Sequence, residues 1–129
     1  MAYQVLVVED SAAMRSFIAS TVEELEDVQV TEAASGFDAL KALPRTRFDL
    51  VITDINMPDI NGLELIRFIR ENEMYLRTPL IIVSTESSQR DRERGLALGA
   101  NAYLVKPFSP SELKECVRRQ LKGEDSQND

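Results

Sequence analysis

Three carboxylates, an amine and two hydroxyls stand at the ends of short apolar runs in this chain. Glu9-Asp10 follow "QVLVV", Asp54 follows "LVIT", Ser84-Thr85 follow "LIIV", and Lys106 follows "AYLV". Gathered in one place, the three acids and the ammonium carry a formal charge of −2. Like charges at close range resist ionisation, so such a cluster calls for a cation. Its donors are hard oxygens with no His or Cys, which favours Mg2+ or Mn2+ over zinc. A dication held by one or two carboxylates keeps open positions for a phosphate oxygen. A carboxylate can attack phosphorus and form an aspartyl phosphate. Phosphoryl transfer asks for little beyond position and charge neutralisation. Asp54, between an acid pair and a hydroxyl, is the expected nucleophile. Lys106 and the dication would neutralise the phosphoryl oxygens, and Ser84 would donate a hydrogen bond to one of them.

Composition narrows the chemistry further. The 129 residues are 43% apolar and 29% charged, as expected of one globular domain. There is no His, which removes Ser-His-Asp and Cys-His catalysis, His metal sites and a phosphohistidine carrier role. The single Cys116 excludes an internal disulfide and a Cys-rich zinc site. A net charge of −7 and a pI near 4.7 argue against a nucleic-acid footprint. No apolar run approaches the roughly 20 residues that span a bilayer. The N-terminal "MAYQVLVVED" lacks the basic region of a signal peptide, which points to the cytoplasm. The acidic end "GEDSQND", residues 123–129, is expected to be disordered, leaving 1–122 as the folded domain.

The elements that must position these groups alternate in type. Short β-branched runs predict buried strands at Gln4–Val8, Phe48–Thr53, Pro79–Thr85 and Ala102–Val105, with an alternating edge strand at Val28–Ala34. Asp10-Ser11 is expected to cap a helix carrying Met14, Phe17, Ile18, Val22 and Leu25. Ser35-Gly36 opens a second helix with Phe37, Leu40 and Leu43 on its apolar face, stopped by Pro44. Gly62–Arg70 and Ser87–Leu98 make the third and fourth helices, the latter ended by Gly99. A last helix capped by Ser109 or Ser111 carries Leu113, Val117 and Leu121. Strands alternating with helices imply an α/β domain with a parallel sheet and helices on both faces. Five strands is the flavodoxin-like count, and such sheets bind at the C-terminal strand ends. That edge is where the acids, hydroxyls and lysine fall.

At these residues the sequence resembles the receiver domain of two-component response regulators, within that family the stand-alone, CheY-like chemotaxis type. The likeness runs from about Val5 to Leu121 and rests on "VVED", "DINMPDINGLEL", "IIVST" and "YLVKPF" in order. The resemblance implies a (βα)5 three-layer sandwich with strand order 2-1-3-4-5. It implies Asp54 as phospho-acceptor and Mg2+ held by Glu9, Asp10, Asp54 and the backbone carbonyl of Asn56. It makes Ser84 the switch hydroxyl and Tyr103 the aromatic switch, turning into space that Ser84 vacates. Thr85 lies beside the switch hydroxyl, and Asn56 and Glu86 occupy positions that tune autodephosphorylation. The Lys106–Pro107 bond is usually cis in the family. The implied partners are a histidine kinase as donor, a downstream target such as a flagellar motor switch or other motility component, and a phosphatase. Neither nucleic acid nor membrane is a direct partner, and the chain is expected to be a monomer. It would be a signal relay with slow self-hydrolysis, not a turnover enzyme. Asn61-Gly62 replaces the commoner Asp-Gly, which a turn tolerates.

Simpler readings exist for each residue. Asp10 could be only a cap, Asp54 a strand stop, Ser84 and Thr85 strand-end hydroxyls, Lys106 a solvated lysine and Tyr103 plain core. Cys116 reads as core filler. The charge run "SSQRDRERG" reads as a solvated helix face with little to bury, and so as an element that opens at low cost beside Tyr103 and the last helix. Three other functions compete. An aspartyl phosphatase of the haloacid-dehalogenase type would need an Asp where Asn56 stands. A phosphorylation-independent docking module would usually lose an acid or the lysine. A receiver belonging to a longer regulator with a DNA-binding output domain is a matter of context.

Overall fold

The computed structural model describes residues 2–86 and 89–123. The start of the fourth helix at Ser87 and all of the acidic tail after Gly123 lie outside the described residues. Among those described, five strands alternate with five helices. They are β1 (Tyr3–Val8), α1 (Ala12–Glu23), β2 (Val28–Ala33), α2 (Gly36–Ala42), β3 (Leu50–Asp54), α3 (Gly62–Glu71), β4 (Leu80–Ser84), α4 (Gln89–Leu98), β5 (Ala102–Val105) and α5 (Pro110–Leu121). The strands pair in parallel in the order β2-β1-β3-β4-β5. This is the flavodoxin-like arrangement.

Side-chain alternation along the strands builds two cores. Val5, Val7, Leu50, Ile52, Ile81 and Val83 point to the face covered by Ile18 and Val22 of α1 and Leu113 and Val117 of α5. Leu6, Val8, Val51 and Ile82 point to the other face, where Ala39 of α2 and Leu65, Ile66 and Ile69 of α3 meet them. All of β3 and β4 is buried, so these strands read as continuous apolar runs. Each fully buried Leu or Ile contributes about 1.5–3 kcal/mol relative to exposure.

Capping residues set where the helices begin. Ser11, not Asp10, caps α1 by accepting from Met14 N at 3.3 Å, which leaves the Asp10 carboxylate exposed at the strand edge. Asn61 caps α3 through Glu64 N at 2.9 Å. Ser109 rather than Ser111 caps α5, in a reciprocal box with Glu112. Phe37 departs from the expected apolar face: Leu43 is buried and Leu40 partly so, but Phe37 is 57% exposed. It stands at the first turn of α2, beyond the strand ends, where no sheet lies beneath it. The α-helix ends at Ala42, just before Pro44 as expected, and the chain then passes through a short 3-10 turn, Leu43–Arg45.

α4 sits differently from its neighbours. Among its described residues only Gly95 is buried. A Cβ at Gly95 would lie 2.5 Å from Ile82 Cδ1, so the glycine lets the helix backbone rest directly on β4. The far end of α4 is stapled. Half-buried Arg70 donates to Gly99 O at 3.0 Å, Tyr75 O at 3.1 Å and Asn101 Oδ1 at 3.1 Å. Asn101 Oδ1 also accepts from Leu80 N at 2.8 Å, tying the staple to the start of β4.

Cys116 is half-buried on α5, and burial pushes its thiol up to about 11. The thiolate is the reactive form, so raising the thiol from 9.0 to about 11 leaves about 100-fold less nucleophile near pH 8. Iodoacetamide at pH 8 should therefore modify the folded protein slowly and the urea-unfolded chain quickly, as followed by mass. Equal rates would show a solvated thiol.

Candidate functional site

Side chains from the ends of four strands converge on one edge of the sheet. Glu9 follows β1 and is 1% exposed, and Asp54 closes β3 at 6% exposed. Lys106, which follows β5, reaches between them: its Nζ donates to Glu9 Oε1 at 2.7 Å and to Asp54 Oδ2 at 3.2 Å. Its own backbone continues the sheet by donating to Ser84 O at 2.7 Å, and its bond to Pro107 is cis. Burial works against the Lys106 ammonium, yet the bond to Glu9 and the charges of Asp54 and Glu9 hold its pKa above the ordinary lysine value. Burial raises the Glu9 carboxyl, against the lowering from Lys106 and the Ser11 N–H.

Both oxygens of Glu9 are engaged, Oε1 by Lys106 and Oε2 by Ser11 N at 3.0 Å. Its backbone is fixed as well. Glu9 N donates to Ala33 O at 3.0 Å, and Arg15 Nη1 donates to Glu9 O at 2.9 Å. Arg15 also bridges to Glu32 at 3.3 Å. On Asp54, Oδ1 accepts from Asn56 N at 3.3 Å. Behind it, Gly62 donates to Ile55 O at 2.7 Å, and a Cβ at Gly62 would lie 2.1 Å from Asp54 O. The segment after Asp54 is thus folded tightly against its back. Asp59 clips that segment to α2 by accepting from Gly36 N at 3.2 Å and Phe37 N at 3.0 Å.

Glu9, Asp10 and Asp54 each offer an oxygen within 4.8 Å of the others. Two oxygens on one Mg2+ at about 2.1 Å lie up to about 4.2 Å apart, so a small adjustment completes direct ligation. The donor set is all hard oxygen, which fits such an ion. Glu9 is committed to Lys106 and the main chain, which leaves Asp10 and Asp54 as the acids whose oxygens are freer to meet such an ion. Replacing exposed Asp10 by Asn should therefore raise stability by about 0.2–1 kcal/mol without a dication, by relieving like-charge repulsion. MgCl2 should raise the unfolding temperature of the wild type over EDTA, and that rise should be lost in the same variant. An undiminished rise in Asp10→Asn would remove Asp10 from the ligand set.

The remaining expected residues surround one turn. Ser84 is buried, and its Oγ accepts from Glu86 N at 3.0 Å. Tyr103 is 4% exposed and donates its hydroxyl to Glu86 O at 2.7 Å, so its ring occupies the inward position. Burial raises the Tyr103 phenol above its usual value. Arg92 of α4 stacks over the ring at 5.8 Å from its centroid. Thr85 and the side chain of Asn56 are exposed. Asn56 Nδ2 approaches Glu86 Oε1 at 3.5 Å across the mouth of the site. Sequence reasoning missed Arg15 and Asp59. The available signals were an Arg one helical turn past the acid pair and an Asp in the turn after Pro58.

A family model, described as the response regulator receiver domain, matches residues 5–118. The chain is 41% identical over 113 residues to a "Chemotaxis protein CheY homolog" of Campylobacter jejuni, covering 87% of each. Among solved structures it is similar to the chemotaxis response regulator CheY4 of Vibrio cholerae, with a TM-score of 0.87, 35% identity and coverage of 93% of this chain and 99% of that one. It is also similar to the receiver domain of a Pseudomonas aeruginosa sensor histidine kinase solved with a magnesium ion coordinated in its active site cleft. There the TM-score is 0.85 at 32% identity, covering 95% of this chain and 99% of that one.

Proposed function

The chain belongs to the response regulator receiver family, and from that premise we propose that Asp54 is the residue that accepts its phosphoryl group, from a histidine kinase. The observation that carries the assignment is the nearly buried Asp54 carboxylate with Lys106 Nζ at 3.2 Å and two further acids in reach. An Asp54 carboxylate oxygen attacks phosphorus as the bond to the donor's imidazole nitrogen breaks. The electron pair returns to that nitrogen, which takes a proton from solvent. Lys106 holds one developing phosphoryl charge, and Ser84 turns its hydroxyl toward another oxygen by releasing Glu86 N. Asp10, Asp54 and the Asn56 carbonyl, with Glu9 behind them, would hold Mg2+, which would supply charge neutralisation. Water attack on phosphorus later returns the carboxylate and inorganic phosphate, with Asn56, Thr85 and Glu86 shaping that water's access.

The modification adds about −1.5 to −2 of charge beside Ser84 and Glu86. Tyr103, bonded to Glu86 O, transmits the change to α4 and β5, whose exposed side chains with α5 form the partner surface. Coupling of about 1–3 kcal/mol between site and surface is typical. The relatives' names support a chemotaxis role; the further reading is of a stand-alone regulator acting as a cytoplasmic monomer on a motility component such as a flagellar motor switch. The test of the chemistry is intact mass after acetyl phosphate and MgCl2. Wild type should gain one phosphoryl group and Asp54→Ala none. A gain on both proteins would move the acceptor elsewhere.

A further inference from the structure

With Asp54 only 6% exposed, a donor of protein size must bring its phosphoimidazole down onto the strand edge and cover the surface around it. Phe37 stands on that rim. Two contacts tie its neighbourhood to the site. Ala33, closing β2, accepts from Glu9 N at 3.0 Å, and the chain turns into α2 directly afterwards. Asp59, on the segment that leaves the acceptor, accepts from Phe37 N at 3.0 Å. Below the ring, Gly36 is pressed so closely on Ile60 that a Cβ would lie 2.6 Å from Ile60 Cβ. The backbone under Phe37 is therefore held in place while the ring is 57% exposed. Ala34 and Pro58 beside it are exposed, and Ile60 is half-buried. A large aromatic on a fixed backbone loses little freedom when covered, which suits it to anchor an interface.

We propose that Phe37, with Ala34, Pro58 and Ile60, is part of the docking surface for the phosphohistidine-bearing domain of the donor kinase. The occupant follows from placement: the patch lies at the same strand-end edge as Asp54, tied to the site through Ala33 and Glu9 and through Asp59 on the segment after Asp54. The proposal rests on Asp54 as acceptor. The exchange is the one above, a phosphorus–nitrogen bond broken and a phosphorus–oxygen bond formed. A donor as small as acetyl phosphate reaches Asp54 without covering the rim. The other exposed apolar groove, with Met74 and Leu76, is lined by residues leading into β3 and β4 and so lies at the opposite edge.

The experiment measures phosphotransfer from a panel of the source organism's purified histidine kinases, autophosphorylated with labelled ATP. The acceptors are wild type, Phe37→Ala and Phe68→Ala, each also treated with acetyl phosphate and MgCl2. Phe68, 43% exposed toward the far end of α3, is the control for loss of any surface aromatic. The kinase that labels wild type fastest should label Phe37→Ala about 10-fold more slowly at limiting receiver. Acetyl phosphate should label all three alike, and Phe68→Ala should match wild type with both donors. Undiminished kinase transfer to Phe37→Ala would overturn the docking surface. So would equal loss in Phe68→Ala, a parallel loss with acetyl phosphate, or a wild type that takes phosphate from acetyl phosphate but from no kinase. Failure of acetyl phosphate to label wild type would instead strike the acceptor assignment.

Discussion

Lys106→Met is expected to lose about 3–5 kcal/mol of unfolding free energy in magnesium-free buffer, and with it phosphoryl acceptance from acetyl phosphate. The side chains it joins are 1% and 9% exposed for Glu9 and Asp54. Removing the ammonium leaves two buried acids facing each other, with only backbone donors to offset their desolvation. Met keeps most of the volume, so lost packing contributes little. Urea unfolding measures the stability and intact mass the acceptance. The double variant Glu9→Gln/Lys106→Met should recover part of the lost stability, because it removes the like-charge contact and one of the two unpaired buried acids, while the Asp54 carboxylate stays unpaired. It should remain unable to hold the phosphoryl charge. An unfolding midpoint unmoved by Lys106→Met would mean that water already solvates Glu9.

Gly62→Ala should cost about 1–3 kcal/mol, the usual penalty of inserting a group where none fits. The added carbon would lie 2.1 Å from Asp54 O and 2.7 Å from Ile55 Cα, both backbone atoms with no rotamer to yield. Relief requires the start of α3 to move away from β3, which would break the bond from Gly62 N to Ile55 O at 2.7 Å. Because the obstructed atom belongs to the proposed acceptor, Asp54 should shift against Lys106 and acceptance should slow as well. The paired readouts are unfolding by urea and labelling rate by mass. Loss of stability with an unchanged labelling rate would show that the acceptor's position tolerates movement behind it.

The sheet and the clustering of Glu9, Asp54 and Lys106 at its edge were legible because both follow short rules. Runs such as Leu50–Thr53 and Leu80–Val83 can only be strands buried on both faces, and parallel order then collects their C-terminal ends. Strand order itself came from resemblance, since nothing in the runs distinguishes β2-β1 from other neighbours. The helix periodicity misplaced Phe37, because spacing along a helix says nothing about where the sheet beneath it stops. Asp10 and Ser11 looked equivalent as caps, and only the backbone could choose Ser11 and leave Asp10 for the site. Arg15 and Asp59 went unread because they act on main-chain atoms, where no spacing of side-chain types gives them away. The inward setting of Tyr103 depends on a carbonyl, Glu86 O, that sequence patterns do not reveal.

The staple at the end of α4 makes this helix a rocker arm. Arg70 anchors Gly99, while the only described buried residue along the arm is Gly95, near the same end. A helix of 10 residues is about 15 Å long. Any tilt about that anchored pivot is therefore magnified toward Gln89. Amide exchange along the arm should accordingly fall from the Gln89 tip to the pivot. A uniform rate from end to end would mean that α4 moves, if it moves at all, as a sliding rod.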